Sequence, residues 1–147
     1  MSDQMPVLPP PTPTPLTAPF WHAGAEGVLR IQQCADCAAL RHPPTGACWR
    51  CQSLAHGWRD MPGTGTVYSY IWVDKPVVDV FASLGLFNVS VVELDGVPEG
   101  DEPVRLVTRV NGVTKDELVV GLPVTVEFDR VDDEISLPVF RPADRAS

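Results

Sequence analysis

The chain has 147 residues, 44% of them hydrophobic, and a formal net charge of −8. That length suits one compact domain, or a small metal-stapled module joined to a modest second one, and the apolar content is enough to build a core. The charge counts against nucleic acid as the main partner, because 11 Lys and Arg face 19 acids and phosphate binding needs the reverse balance.

Residues 1–18, MSDQMPVLPPPTPTPLTA, are dominated by proline and lack periodic apolar positions, so they read as a disordered, extended arm. The arm has no basic stretch leading into an apolar one, and no window approaches the length of a membrane span. The expectation is a cytoplasmic protein without a membrane partner. Next, PFWHAGAEG places Phe20, Trp21, Ala23 and Ala25 before Gly27, as in one or two helical turns closed by a glycine, and VLRIQQ reads as a strand. Residues 34–60 are rich in turn formers and poor in core residues, so this part needs a staple to hold a shape.

The staple is written into CADCAALRHPPTGACWRC. Cys34, Cys37, Cys48 and Cys51 are all the cysteines of the chain, arranged as two C-x2-C pairs with ten residues between them. Two intervening residues let both sulfurs of a tight turn reach one ion, and two such turns complete a tetrahedral sulfur shell. Soft thiolates in that geometry select zinc, with iron as the usual competitor. Two disulfides or a redox-active C-x-x-C are the alternatives, and neither explains a second, equally spaced pair so near the first. Four protein ligands leave no open coordination position, so the metal is structural and no cysteine remains as a nucleophile.

From Met61 the composition turns β-branched and alternating. GTGTVYSYIWV (63–73), LFNVSVVEL (86–94), PVRLVTRV (103–110) and PVTVEFDRV (123–131) read as strands, with a last short one at LPVF (137–140). Turn clusters containing Gly or Asp separate them. The fold class is therefore mostly β: a short helix and zinc ribbon over 19–60, a five-stranded barrel of the oligonucleotide/oligosaccharide-binding (OB) type over 61–142, and a tail at 143–147. Periodicity alone leaves other small β architectures open.

Outside the cysteines the chemical signals are weak. His22, His42 and His56 have no acid or serine at an informative spacing, although His42 in RHPP sits between the knuckles. GTGT lacks the lysine and following helix of a phosphate loop and reads as a turn opening a strand, and DRVDDE (129–134) lacks the regular ligand spacing of a calcium site and reads as a solvated loop. Trp49, beside a metal ligand, is expected to pack on the ribbon.

The order PFW, the two knuckles around HPP (42–44), GTGTVYSY, VGLPVTVEFD (120–129) and LPVF resembles the DUF35 family of zinc-ribbon plus OB-fold proteins across residues 19–142. The resemblance implies a rubredoxin-like ribbon with Cys34, Cys37, Cys48 and Cys51 as its zinc ligands. It also implies a small non-catalytic subunit that binds and stabilises a thiolase-like enzyme, or a lipid-transfer-protein-like aldolase acting on steroid side chains, and helps form its acyl-CoA site. On this reading the complex is a 2:2 hetero-tetramer with a coenzyme A thioester as its ligand. Arg30, Arg41, Arg50 and Arg59 make residues 27–60 slightly basic, at +2, and are the candidates for contact with coenzyme A phosphates or with the partner. Two other readings compete. A stand-alone acyl-CoA hydrolase or acyltransferase needs a base or nucleophile that only the histidines offer, and a nucleic-acid-binding ribbon and barrel runs against the charge.

Overall fold

A computed structural model describes residues 9–143. Helix α1 (Ala18–Ala25) leads into three short strands, β1 (Arg30–Cys34), β2 (Leu40–Arg41) and β3 (His56–Asp60), and then into β4 (Thr64–Val73). A 3₁₀ helix (Asp79–Leu84) precedes β5 (Phe87–Leu94), β6 (Arg105–Thr108), β7 (Pro123–Arg130) and β8 (Ser136–Pro142). Of the proline-rich arm, residues 1–8 lie outside the described residues. Thr14 and Thr17 exchange hydrogen bonds of 2.9 and 3.2 Å in a turn that opens α1. Of the tail, residues 144–147 lie outside the described residues. No helix among the described residues is long and apolar enough to cross a membrane.

At eight residues α1 is too short to be stable alone, so packing holds it. Phe20, Ala23 and Gly24 are its buried face. A Cβ on Gly24 would stand 2.7 Å from the carbonyl oxygen of Ser136, so glycine lets the helix lie directly on β8. Gly27, at φ +78°, then reverses the chain into β1 as the sequence predicts.

Five antiparallel strands in the order β6-β5-β4-β7-β8 form the main sheet. Its two edges meet: Val110, just past β6, bridges Phe140 of β8, with Phe140 N donating to the Arg109 carbonyl at 2.9 Å and Asn111 N to the Phe140 carbonyl at 2.7 Å. The sheet thus curls into the barrel expected from the five strands. β5 alternates strictly, with Asn88, Ser90, Val92 and Leu94 facing in. Two polar side chains in the core have a reason. Asn88 donates to the Val110 carbonyl at 2.8 Å and accepts from Val110 N at 2.9 Å and from Ser90 Oγ at 2.7 Å. The amide replaces a missing strand partner where the barrel closes, and the polar groups of Asn88 and Ser90 are satisfied there.

The second sheet, β2-β1-β3, belongs to the ribbon. Residues 34–60 are therefore less turn-like than the sequence suggests. β3 pairs with β1 along its whole length, from Arg30 with Asp60 to Cys34 with His56. None of its residues is fully buried, so it carries no alternation to read. Ile31, Leu29 and Leu40 of the ribbon, Phe20 of α1 and Val67, Val92, Val124 and Phe140 of the barrel form one continuous core. Phe140 is fully buried at the closure point. Phe140→Ala is expected to lower stability by about 3–5 kcal/mol, read as a shift in the urea unfolding midpoint with an unchanged slope.

Candidate metal centre and adjoining cavity

Each C-x2-C pair folds as a tight turn closed by the same bond. Ala38 N donates to the Cys34 carbonyl at 3.1 Å and Gln52 N to the Cys48 carbonyl at 2.9 Å. The residue after each pair, Ala38 and Gln52, has φ +65°, which turns the chain away once both sulfurs point inward. The four Sγ atoms lie within 4.8 Å of one another, with Cys34 to Cys51 and Cys37 to Cys48 both at 3.5 Å. A regular tetrahedron of thiolates about 2.3 Å from a central zinc has edges of about 3.8 Å, so the donor set fits that ion. Cys34 and Cys48 are buried, Cys37 half-buried and Cys51 exposed.

The electrostatics of the cage point the same way. The Cys37 backbone N–H, ahead of the other causes, holds Cys34 down to about 6. Cys48 is lowered as well, first by the Cys51 backbone N–H. Cys51 receives a stabilising N–H from Ser53, yet its neighbours, Cys34 foremost, push it up to about 12. Four thiolates in one cage repel one another, and a divalent cation among them removes that repulsion.

The four arginines do not act as one patch. Arg30 pairs with Asp60 at 2.7 Å, which holds the Asp60 carboxyl below the usual range. Arg41 is buried and bonds the Thr45 carbonyl at 3.1 Å, while its Nε and Nη1 have no partner. Arg50 donates to the Cys37 carbonyl and reaches Asp101 at 3.4 Å, which ties the ribbon to the β5–β6 loop. Arg59 is exposed and makes no ion pair among the described residues. Trp49 departs from expectation: it is 53% exposed, with the Arg50 guanidinium 5.9 Å from its ring centre, because the turn that aims Cys48 inward aims the next residue out.

The histidines are dispersed. His22 and His56 are exposed, and His56 meets Trp58 edge-on at 6.0 Å. His42 packs against Phe20 at 4.8 Å, and burial pushes its imidazole down to about 4. Among the described residues none of the three pairs with a serine or a carboxylate. His42 instead lines a cavity of about 440 Å³ between α1, the His42 to Pro44 segment, the 3₁₀ helix and strands β5, β6 and β8. Sequence reading missed this space, because Phe81 and Leu84 lie in a stretch with no periodicity and the walls come from six separated segments.

Comparison with known proteins bears on both features. Residues 21–57 match the description "ChsH2, rubredoxin-like zinc ribbon domain" and residues 58–129 match "ChsH2, C-terminal OB-fold domain". The "Probable enoyl-CoA hydratase alpha subunit" of Thermomonospora curvata is 40% identical over 125 residues, 84% of this chain and 37% of that protein. The "3-oxo-4,17-pregnadiene-20-carboxyl-CoA hydratase alpha subunit" of Mycobacterium tuberculosis is 32% identical over 112 residues, 76% of this chain and 33% of that protein. The chain thus spans about a third of the length of these curated relatives. Among solved structures, a chain of "Ltp2-ChsH2(DUF35) aldolase" is 36% identical with a TM-score of 0.77, covering 92% of this chain and all of that one. A DUF35 protein of unknown function from Sulfolobus solfataricus, 13% identical with a TM-score of 0.55, covers 87% of this chain and 85% of its own and shares the fold.

The buried imidazole has a solution consequence. The folded chain takes up the His42 proton only near pH 4, whereas the unfolded imidazole takes it up near 6.5. The contribution is therefore fully present above the unfolded value and is lost as pH falls from about 6.5 toward about 4. Between about pH 7 and about pH 4.5 the melting temperature should drop more in the wild type than in His42→Gln, and differential scanning calorimetry checks it.

Proposed function

Because the chain belongs to the ChsH2-type DUF35 family of zinc-ribbon and OB-fold proteins, we propose that it is a non-catalytic accessory subunit of a thiolase-superfamily enzyme acting on acyl-CoA thioesters. The single observation that carries this reading is that all four thiols converge on one closed centre, in a fold that matches, over 92% of this chain, a chain of an aldolase. On this reading Cys34, Cys37, Cys48 and Cys51 hold one zinc ion, which cross-links the two knuckles and leaves no thiolate for acyl transfer. The reacting groups then belong to the partner. The relatives named as subunits for coenzyme A thioesters support the substrate class, and the pregnadiene derivative in one name favours a steroid side chain.

The chain's part is to stabilise the partner and complete its acyl-CoA site, in a 2:2 assembly around a two-fold enzyme dimer. Arg59 is the remaining candidate for a coenzyme A phosphate, since Arg30 and Arg50 already face carboxylates and Arg41 is buried. Exposed apolar side chains such as Ile71 at 61%, Val77 at 98% and Leu86 at 46% suit a protein interface.

The purified chain should carry about one zinc per molecule, and Cys48→Ser should lower both the metal content and the melting temperature, read by mass spectrometry of the metal and by calorimetry. Affinity capture of the zinc-loaded chain from its native host should recover a thiolase-superfamily enzyme in equimolar amount. Recovery of the chain alone, or of nucleic acid that survives moderate salt, contradicts the subunit reading.

A further inference from the structure

As metal donors the four sulfurs are equivalent, but as targets for a reagent they differ. Cys34 and Cys48 are buried, Cys37 is half-buried and Cys51 is exposed. Arg50 covers the half-buried one, since its guanidinium donates to the Cys37 carbonyl and the Cys37 side chain raises the arginine pKa. Cys51 is therefore the residue of the cage most open to solvent. Its sulfur lies 3.5 Å from that of buried Cys34, which belongs to the other knuckle.

A thiol that coordinates zinc is deprotonated, and the thiolate is the form that attacks an electrophile. An oxidised thiolate stops at a disulfide, instead of climbing to sulfinic acid, when a second thiolate stands within reach to resolve it. Cys34 is within reach of Cys51.

We propose that Cys51 is an oxidation site for hydroperoxides, with Cys34 as its resolving thiolate. The Cys51 sulfur attacks the outer oxygen of the peroxide, the O–O bond breaks, and the alkoxide leaves and takes a proton from solvent. Cys51 is then a sulfenic acid. The Cys34 thiolate attacks that sulfur, the S–O bond breaks, and hydroxide leaves as water with a second solvent proton. Two thiolates have given up two electrons and the peroxide has gained them. Cys37 and Cys48 alone do not complete a four-donor shell, so the site releases its divalent ion. The new bond joins the end of β1 to the second knuckle, as the metal did, so the oxidised ribbon keeps a cross-link. The inference rests on the zinc reading of the centre and is independent of any partner enzyme.

The test measures the zinc content of the full-length chain, then adds hydrogen peroxide while a chromogenic chelator reads zinc release. Remaining thiols are blocked with N-ethylmaleimide, and tryptic peptides are mapped by mass spectrometry. Cleavage after Arg30, Arg41, Arg50 and Arg59 separates the candidates: Cys34 and Cys37 share residues 31–41, Cys48 lies in 42–50 and Cys51 in 51–59. The first disulfide should join 31–41 to 51–59 through Cys34, appear together with zinc release and reverse with dithiothreitol. Cys51→His keeps four donors without the attacking thiolate, and should slow the release about tenfold. The oxidised chain should also melt above the reduced chain stripped with EDTA, because only the oxidised one retains a cross-link. Should the variant fail to hold zinc, the peptide map of the wild type decides. Absence of zinc at the outset overturns the metal reading and this proposal with it. A first link within one knuckle or through Cys37, release without a disulfide, release from Cys51→His at the wild-type rate, or an oxidised chain that melts no higher than the stripped one overturns this proposal alone.

Discussion

Convergence of four sulfurs on one point is the constraint from which the rest of the architecture follows. β2 has two residues, of which only Leu40 adds an apolar side chain to the core, and β3 buries none of its side chains fully, so packing within the ribbon is small. The cage fixes Cys34 at the end of β1, and β1 also carries Ile31, which is fully buried in the core shared with the barrel. A metal among the thiols thus orders a strand that, with Leu29 and Leu40 beside it, carries the ribbon's contribution to that core. The pair of Arg50 with Asp101 across the same junction is open to solvent and long at 3.4 Å, so it adds little. Position is set by the sulfurs and the core, and the salt bridge trims it.

Ribbon, helix and barrel then enclose a space that none of them forms alone. Gly24 lets α1 lie on β8, Phe20 turns into the core, and Trp21 with the His42 to Pro44 segment walls the cavity from the ribbon side. The same packing strips water from His42 and keeps its imidazole neutral. A buried neutral histidine beside aromatic rings serves as part of an apolar wall, which agrees with the absence of an acid partner for it among the described residues.

What could be read from the sequence followed what is local. Spacing alone identified Cys34, Cys37, Cys48 and Cys51 as a group, because two residues between ligands is a short-range geometric demand. Period-two alternation marked the strands around Val92 and Leu106, and β-branched and aromatic composition marked the one around Val67, since each has residues facing the core. The inward Asn88 and Ser90 carry no local signal of their role: Asn88 bonds Val110, 22 residues further on, at the seam of the barrel, and Ser90 donates to Asn88. β3 went unseen because its partner strand, rather than burial, defines it. The arginines formed a patch only on paper: Asp60 and Asp101 take up two of them, the second from 51 residues away. Trp49 was misread for a similar reason, as the knuckle that buries its neighbour turns it to solvent.

The central claim is that this chain shapes a reaction whose chemistry is performed by another subunit. It is tested most directly by acyl-CoA turnover measured for the zinc-loaded chain alone, for the partner enzyme alone and for the reconstituted pair. No consumption of thioester by the chain at any concentration, with full activity only in the pair, is the predicted result. A rate that rises in proportion to the isolated chain would place reacting groups within these 147 residues and contradict the account.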